Sequence, residues 1–416
     1  MTLLRRLPLI IIVGILLVVA LSTGEPFLFF ILYLLLIVVG GSYLLTRIGL
    51  SDLEAGYALD RLSAHVGEEL RVTYTLRNVS RLPKPWLEAH NPTTLPTGLP
   101  GRVLGLGPRA ERSWLIRSPL VRRGHYRIEP MTIRTGDPFG FFEAQAAVGQ
   151  GVTVVVYPRI DRLPLWRLPP AGIEGSHAHA ERTLQATPLA TTVRPWAPGD
   201  AYSRIHWRST ARHGDIQVKD FDLEQTADAW IFLDLEQKSQ AGAGDDATVE
   251  LAVRAVASIA DKAILENRSV GLTTNGRHQS ILPADRGARQ QAKIMSLLAA
   301  VDGDGMTPLD ESIVAGLPRI RRGMTVIVIT ASTDRDWIRP LATLRGRGIG
   351  CVVVLINAAA CERATALARA GAFGAVPPPV DESAAVGIRA IRHALAEYDL
   401  PVHMVGPGAP LATQLA

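Results

Sequence analysis

The spacing of hydrophobic and polar positions changes three times along this chain. Leu7 to Leu21 is apolar apart from Pro8 and Gly14, and Phe27 to Leu45 is apolar apart from glycine and one serine. Between them Ser22-Thr23-Gly24-Glu25-Pro26 has the composition of a turn. The second run reaches the ~20 residues needed to span hydrocarbon, and the first is a little shorter. Neither run has a polar face, which argues against a helix pair buried in a soluble core. Arg5 and Arg6 precede the first run, Arg47 follows the second, and the turn carries only Glu25. Basic residues at both outer ends place those ends in the cytoplasm. The expectation for residues 1–50 is a transmembrane hairpin in the cell (inner or plasma) membrane, multi-pass, with the soluble part cytoplasmic. A cleaved signal peptide would explain Leu3 to Ala20, but a second apolar run follows at once and no small-x-small site separates the two.

From 55 to 160 the period falls to two. Leu70-Arg71-Val72-Thr73-Tyr74-Thr75-Leu76, Ser113-Trp114-Leu115-Ile116-Arg117 and Tyr126-Arg127-Ile128 alternate as half-buried strands do, and the breaks are rich in Pro and Gly. Short strands at near-regular spacing predict a β-sandwich-like domain acting as a spacer or interaction module. Residues 161–225 read as an irregular connector. In it Pro198-Gly199-Asp200 forms a turn, Asp200 caps a short helix through Ile205 and Trp207, and His213-Gly214-Asp215 turns into the strand Ile216-Gln217-Val218. His177 and His179 have no third ligand at a useful spacing and read as part of a polar loop.

From 226 to 405 near-continuous apolar runs alternate with helical spacing. The runs are Trp230–Asp234, Val270–Leu272, Met324–Ile329 and Cys351–Ile356; the helices are Thr248–Glu266, Arg286–Ala300, Asp336–Arg347, Ala359–Gly371 and Glu382–Tyr398. Such strands build a parallel sheet covered on both faces, a doubly wound α/β fold. Its site belongs at the carboxyl ends of the strands, which puts Asp234, Thr273 and Thr330–Asp334 at the rim. No Gly-rich phosphate signature follows the first strand. The tail 406–416 reads as disordered.

Composition narrows the picture a little. A net charge of +5 does not suggest a nucleic-acid partner. Only five of the 44 basic residues are Lys, so arginine is the default cation. The eight Arg and two Glu of 102–134 therefore read as solvent-facing strand positions more readily than as a patch for anionic lipid. Cys351 and Cys361 lack metal-ligand spacing.

Arg194-Pro195-Trp196-Ala197-Pro198-Gly199-Asp200, then Ile205-His206-Trp207 and Ala211-Arg212, resemble the hallmark of the bacterial domain of unknown function 58 (DUF58) family. Arg123-Gly124-His125-Tyr126, Asp137-Pro138-Phe139-Gly140 and the paired apolar helices fit the same family. The resemblance covers nearly the whole chain. It implies a C-terminal domain similar to von Willebrand factor A, and a MoxR-type AAA+ ATPase as partner, sometimes with transglutaminase-like membrane proteins.

Domains of that kind can hold Mg²⁺ through Asp-x-Ser-x-Ser, a Thr and a second Asp, oxygen ligands suited to a hard cation. Here Asp234 and Thr307 match. Glu236 and Lys238 replace the two Ser, and Ala331 stands where the second Asp would. The expectation is a degenerate site without a cofactor. Ser203, Ser209, His206, His213 and Asp200 are close in sequence, but catalytic triads converge from separate elements, so no catalytic residue is assigned. Arg194, Gly199, Asp200, Arg204, Trp207 and Arg212 are the candidate partner-binding or motif residues, with Asp200, Arg204 and Arg212 expected to form an ion-pair network. The expected function is a membrane-tethered adaptor, not an enzyme, with the bilayer and a protein as partners and no small-molecule substrate. A metal-dependent binding module is the alternative, with a membrane-bound hydrolase behind it.

Overall fold

The computed structural model describes residues 2–168, 192–197, 200, 202–220, 228–373 and 382–416. Two compact units divide the chain: Met1–Arg159 with Met295–Ala300, and Ile160–Ile294 with Val301–Ala416.

The first unit opens with α1 (Thr2–Thr23) and α2 (Pro26–Leu50). Gly24, at φ 69°, makes the left-handed turn between them, and Pro26 starts α2, where a missing N–H costs nothing. Among the described residues one helix, Pro26–Leu50, is long and apolar enough to cross a membrane; the apolar part of α1, Ile10–Thr23, is shorter. The two helices line an apolar cavity of about 530 Å³ between Ile12, Leu16, Leu34 and Val38.

Ten strands follow: β1 (Leu53–Leu59), β2 (Ser63–His65), β3 (Glu69–Asn78), β4 (Lys84–His90), β5 (Arg102–Leu106), β6 (Glu111–Pro119), β7 (Gly124–Ile128), β8 (Met131–Gly136), β9 (Glu143–Val148) and β10 (Val152–Tyr157). They form sheets of order β1-β3-β6, β2-β10-β7 and β5-β4-β8-β9. The alternation in β3 buries Leu70, Val72, Tyr74 and Leu76, which meet Leu87, Trp114, Ile128, Ile133 and Val154 in one core. Tyr74 stacks on Trp114 at 5.3 Å. Arg102 lies over the Trp114 ring and Arg127 pairs with Glu129 at 2.9 Å, so these arginines of the basic stretch have partners within the domain.

The junction of α2 with the strands is specific. Lys84 is buried, and its Nζ donates to Ile48 O at 2.8 Å and Ser51 O at 2.5 Å, adding a cationic donor at the carbonyl end of the helix, where Ile48 O also accepts the Ser51 N–H. Burial lowers the Lys84 pKa, with Asp52 opposing. A Cβ on Gly49 would lie 2.6 Å from Thr135 Oγ1, so only glycine allows this approach.

The second unit contains β11 (Thr192–Pro195), α3 (Trp207–His213), β12 (Gln217–Asp220), β13 (Asp228–Leu233), α4 (Thr248–Leu265), β14 (Val270–Asn275), β15 (Gln279–Asp285), the start of α5 (Gly287–Ala300, counted with the first unit from Met295 on), α6 (Leu309–Gly316), β16 (Met324–Thr330), α7 (Ile338–Gly346), β17 (Gly350–Ile356), α8 (Ala358–Phe373), α9 (Glu382–Glu397), β18 (Val402–Val405) and α10 (Leu411–Gln414). Six strands make a sheet of order β15-β14-β13-β16-β17-β18, parallel except for the antiparallel edge β15. Trp230, Phe232, Val326, Val328, Val353 and Leu355 on one face share a core with residues of α6, α7 and α9. Ile231 and Leu233, on the other face by alternation, are equally buried.

Two expectations need correcting. The tail 406–416 is ordered: Gln414 Nε2 donates to Gly406 O at 2.9 Å, Gly406 N–H donates to Gln414 Oε1 at 2.6 Å, and Leu411 and Leu415 are buried. The preceding Val402–Val405 is a sheet strand, paired with β17. The short motif helix begins at Trp207 and not at Asp200, because His206 caps it. His177, His179 and Gly199 lie outside the described residues.

Candidate functional site

The motif residues build a small rigid module within the second unit. β11 and β12 pair antiparallel, Arg194 opposite Val218. Arg194 grips Asp200 through two hydrogen bonds, Nη1 to Oδ2 at 2.8 Å and Nη2 to Oδ1 at 2.7 Å, the bidentate fork that carboxylates accept best. Asp200 Oδ2 also accepts the Ala197 N–H at 2.9 Å, and Trp196 Nε1 donates to Asp200 O at 3.3 Å. The carboxylate thus holds Ala197 and Arg194 to Asp200, while Pro198 and Gly199 lie outside the described residues. Of the three residues expected to form an ion-pair network, Asp200, Arg204 and Arg212, the side chain of Arg204 lies outside the described residues. Asp200 takes Arg194, from its own strand–turn, and Arg212 is exposed in the last turn of α3. Arg204 lies in the 3-10 turn Tyr202–Arg204.

α3 is short and fixed at both ends. His206 Nδ1 accepts the Ser209 N–H at 3.2 Å and lies 2.7 Å from Ser209 Oγ, while His206 N donates to Gln217 O at 2.7 Å. Thr210 Oγ1 donates to His206 O and accepts the Gln217 N–H. Gly214, at φ 83°, ends the helix with its N–H on Thr210 O. His206 and Ser209 are therefore engaged as a cap. Against this scaffold Trp207 is 69% exposed and Tyr202 73% exposed. Tyr202 stacks on Trp196 at 6.3 Å, and the Trp207 ring stands in solvent, where it can meet another surface.

The second cluster lies where the parallel strands end. Asp234 is 1% exposed. Its Oδ2 accepts Thr330 Oγ1 at 2.6 Å, and its Oδ1 accepts Asn275 Nδ2 at 3.0 Å and the Glu236 N–H at 3.1 Å. Burial pushes the Asp234 carboxyl up, with those hydrogen bonds opposing. Asn275 also donates to Thr307 O at 2.9 Å and accepts the Leu235 N–H at 2.5 Å. It joins the Asp234 and Thr307 loops. Glu236 is raised by burial, then by Asp234, while Lys238 at 3.6 Å lowers it and Asp334 raises it.

Asp234 and Thr307 thus meet through Asn275. Asn275, Thr330 and the loop-bracing Gln240, whose Nε2 reaches Asp234 O and Glu236 O at 3.3 Å, escape a reading by motif. Asn275 and Thr330 are polar residues closing apolar strands, the signal that puts Thr330 at the rim; Gln240, after a 3-10 turn, carries no such signal.

A hard divalent ion needs several free oxygen ligands. Three protein donors occupy most of the roughly four lone-pair sites of Asp234, and an ammonium neighbours Glu236. Among the described residues no three His, Cys, Asp or Glu side chains converge as a ligand set. These residues suit a hydrogen-bonded closure of the loops and do not fit the ion.

Among known proteins, the chain is 26% identical over 344 residues to the uncharacterized protein YeaD of Bacillus subtilis, covering 79% of this chain and 81% of that one. It is 28% identical over 165 residues to the uncharacterized protein Rv1480 of Mycobacterium tuberculosis, covering 37% of this chain and half of that one. The CARDB domain of PF1109 from Pyrococcus furiosus, solved with di-metal ions, covers 25% of this chain and 92% of that domain at 15% identity, but with a TM-score of 0.19 it carries no argument. Residues 192–399, half of the chain, match the family described as Protein of unknown function DUF58, and they contain both the Arg194–Asp200 module and the Asp234 rim; the chain belongs to that family.

Proposed function

We propose that this protein is a membrane-tethered adaptor. In this reading α1 and α2 are two membrane-spanning helices whose outer ends are cytoplasmic, and the second unit is a von Willebrand A-like domain that recruits a protein partner at the membrane. The observation that carries the reading is the exposure of Trp207 and Tyr202 on a turn and helix braced by Arg194–Asp200 and His206. Trp and Arg are the residue types that dominate protein interfaces, and Arg212 lies exposed on the same seven-residue helix as Trp207. By family resemblance the partner is a MoxR-type AAA+ ATPase, with the pair acting in assembly or maturation of other proteins.

The test is crosslinking in the native membrane, detergent extraction of the tagged full chain and identification of what co-purifies, with and without ATP and Mg²⁺. One dominant AAA+ ATPase, lost with Trp207→Ala and Arg212→Ala but retained with Val103→Ala, is expected. Recovery of the same ATPase with all three variants would remove the motif from the contact. Absence of any ATPase would overturn the choice of partner.

A further inference from the structure

The first unit carries an aromatic hairpin tip whose exposure its own fold does not explain. Strands β8 and β9 are joined by Asp137-Pro138-Phe139-Gly140-Phe141-Phe142. The Asp137 carboxyl is buried and holds the turn: Oδ1 accepts the Phe142 N–H at 2.6 Å, Oδ2 accepts the Phe139 N–H at 3.0 Å, and Asp137 O accepts the Gly140 N–H at 3.2 Å. Gly140, at φ 73°, supplies the left-handed step. The result is a rigid loop that stacks Phe139 on Phe141 at 5.7 Å and leaves Phe139 61% exposed. Scattered apolar residues on a surface need no cause, but a braced aromatic pair at a hairpin tip calls for an environment.

The place of the tip along α2 identifies that environment. Phe142 meets Tyr43 edge-on at 5.6 Å, and Thr46 Oγ1 donates to Phe142 O at 3.5 Å. Ser42, Thr46 and Gly49 are the buried positions on this end of the helix. The tip therefore lies beside the turn of α2 where the apolar run ending at Leu45 gives way to Arg47, whose Nη1 donates to Tyr43 Oη at 3.3 Å. With 1.5 Å of rise per residue, residues 43–47 span about 6 Å, the depth at which hydrocarbon yields to headgroups if α2 crosses a bilayer. Aromatic rings concentrate at that depth because they combine an apolar body with a tolerance for a wet edge.

We infer that the Asp137–Phe142 turn is a membrane-interface anchor, with Phe139 and Phe141 seated at the headgroup–acyl boundary of the phospholipid leaflet in which α2 ends. This rests on the reading that α2 spans the membrane. The anchor and the helix are two fixed points on one rigid domain, so together they set the tilt of the β-domain against the bilayer.

The test uses the full chain in phosphatidylcholine–phosphatidylglycerol nanodiscs, with an environment-sensitive NBD probe on Phe139→Cys, Ile37→Cys or Leu115→Cys. Both native cysteines are buried, so labelling falls on the introduced one. Ile37 is exposed on α2 and Leu115 on β6. The expected result is shallow quenching: lipids brominated near the headgroup end of the acyl chain quench the 139 probe about twofold more than the 115 probe, while deeper bromines quench the 37 probe most strongly. Lipid quenching at 37 with iodide access at 139 equal to that at 115 overturns the anchor and leaves the span standing. A 139 probe shielded from iodide yet untouched by brominated lipid means that protein covers the tip, which also overturns it. Loss of lipid quenching at 37 removes the span and the anchor together.

Discussion

Asp234 ties three loops together as a carboxylate that its own burial disfavours. Asp234→Ala leaves Thr330 and Asn275 without their acceptor and should cost about 2–4 kcal/mol, read as a lower Tm of the detergent-solubilised protein. Because the buried carboxyl titrates above its unfolded value of 3.8, its favourable contribution is complete below that value and is lost as pH rises through the folded one. Asp234→Asn does not titrate, so its Tm relative to wild type should climb as pH is raised from 3.8 towards neutrality. A constant offset across that range would show that Asp234 does not titrate differently on folding. Mg²⁺ at millimolar concentration should leave the wild-type Tm unchanged, since little of the Asp234 oxygen remains free; a rise that Asp234→Ala abolishes would restore the metal-dependent reading. Motif comparison could find Asp234 and Thr307 because their places are fixed relative to the ends of strands. It could not find Thr330 or Asn275, because each is an ordinary polar residue that gains meaning only when folding brings it across 96 or 41 positions of chain.

The elements that local pattern could announce are the long ones. β3 buries alternate residues from Leu70 to Asn78, and the runs of β13, β16 and β17 are apolar because helices cover both faces of their sheet. β15, β18 and α6 are too short or too mixed for their period to show. Val402–Val405 becomes a strand because β17 offers it a free edge, a fact about the sheet and not about those four residues. The junction between α2 and β4 is likewise invisible in sequence, since a lysine beside Pro85 looks like a surface residue until Ile48 and Ser51 present their carbonyls. Lys84→Met keeps the stem and removes the donor, and should cost about 1–3 kcal/mol while speeding amide exchange at 46–52. Unchanged exchange there would mean that solvent caps the helix equally well. Asp137 sets the opposite pH dependence to Asp234. Burial raises it, but the N–H groups of Phe142, Phe141 and Phe139 lower it further, so its contribution is present above 3.8 and lost as pH falls through the folded value. The Tm difference between wild type and Asp137→Asn should therefore be widest at neutral pH and should shrink below pH 4.

At the scale of the whole chain the decisive variable is the side of the membrane on which each segment lies. The proposed orientation rests on charge: Arg47 borders the strands, the turn at Gly24 carries only Glu25, and basic residues favour the cytoplasmic side. A hairpin of two spans puts residues 22–25 on the opposite face of the bilayer from Asp52 and Leu115. A single span by α2, with α1 lying elsewhere, would also put Gly24 across from Asp52, so the other end of α1 must be probed as well. In intact cells a membrane-impermeant maleimide should label Ser22→Cys and leave Leu115→Cys and Thr2→Cys unlabelled until the membrane is permeabilised. The native cysteines are silent in such an assay: burial pushes both thiols to about 12, and thiolate is the reactive form. Labelling at Thr2 together with Ser22 in intact cells would reduce the anchor to one span and leave α1 outside. Labelling at both Thr2 and Leu115 with Ser22 protected would invert the hairpin, put the Trp207 module on the far side from any cytoplasmic ATPase, and so overturn the adaptor reading along with the topology. The pattern in which only Ser22 reacts keeps the two aromatic surfaces of this chain, the hairpin tip at the bilayer and the Trp207 helix, within reach of one compartment, as recruitment of a soluble motor to the membrane requires.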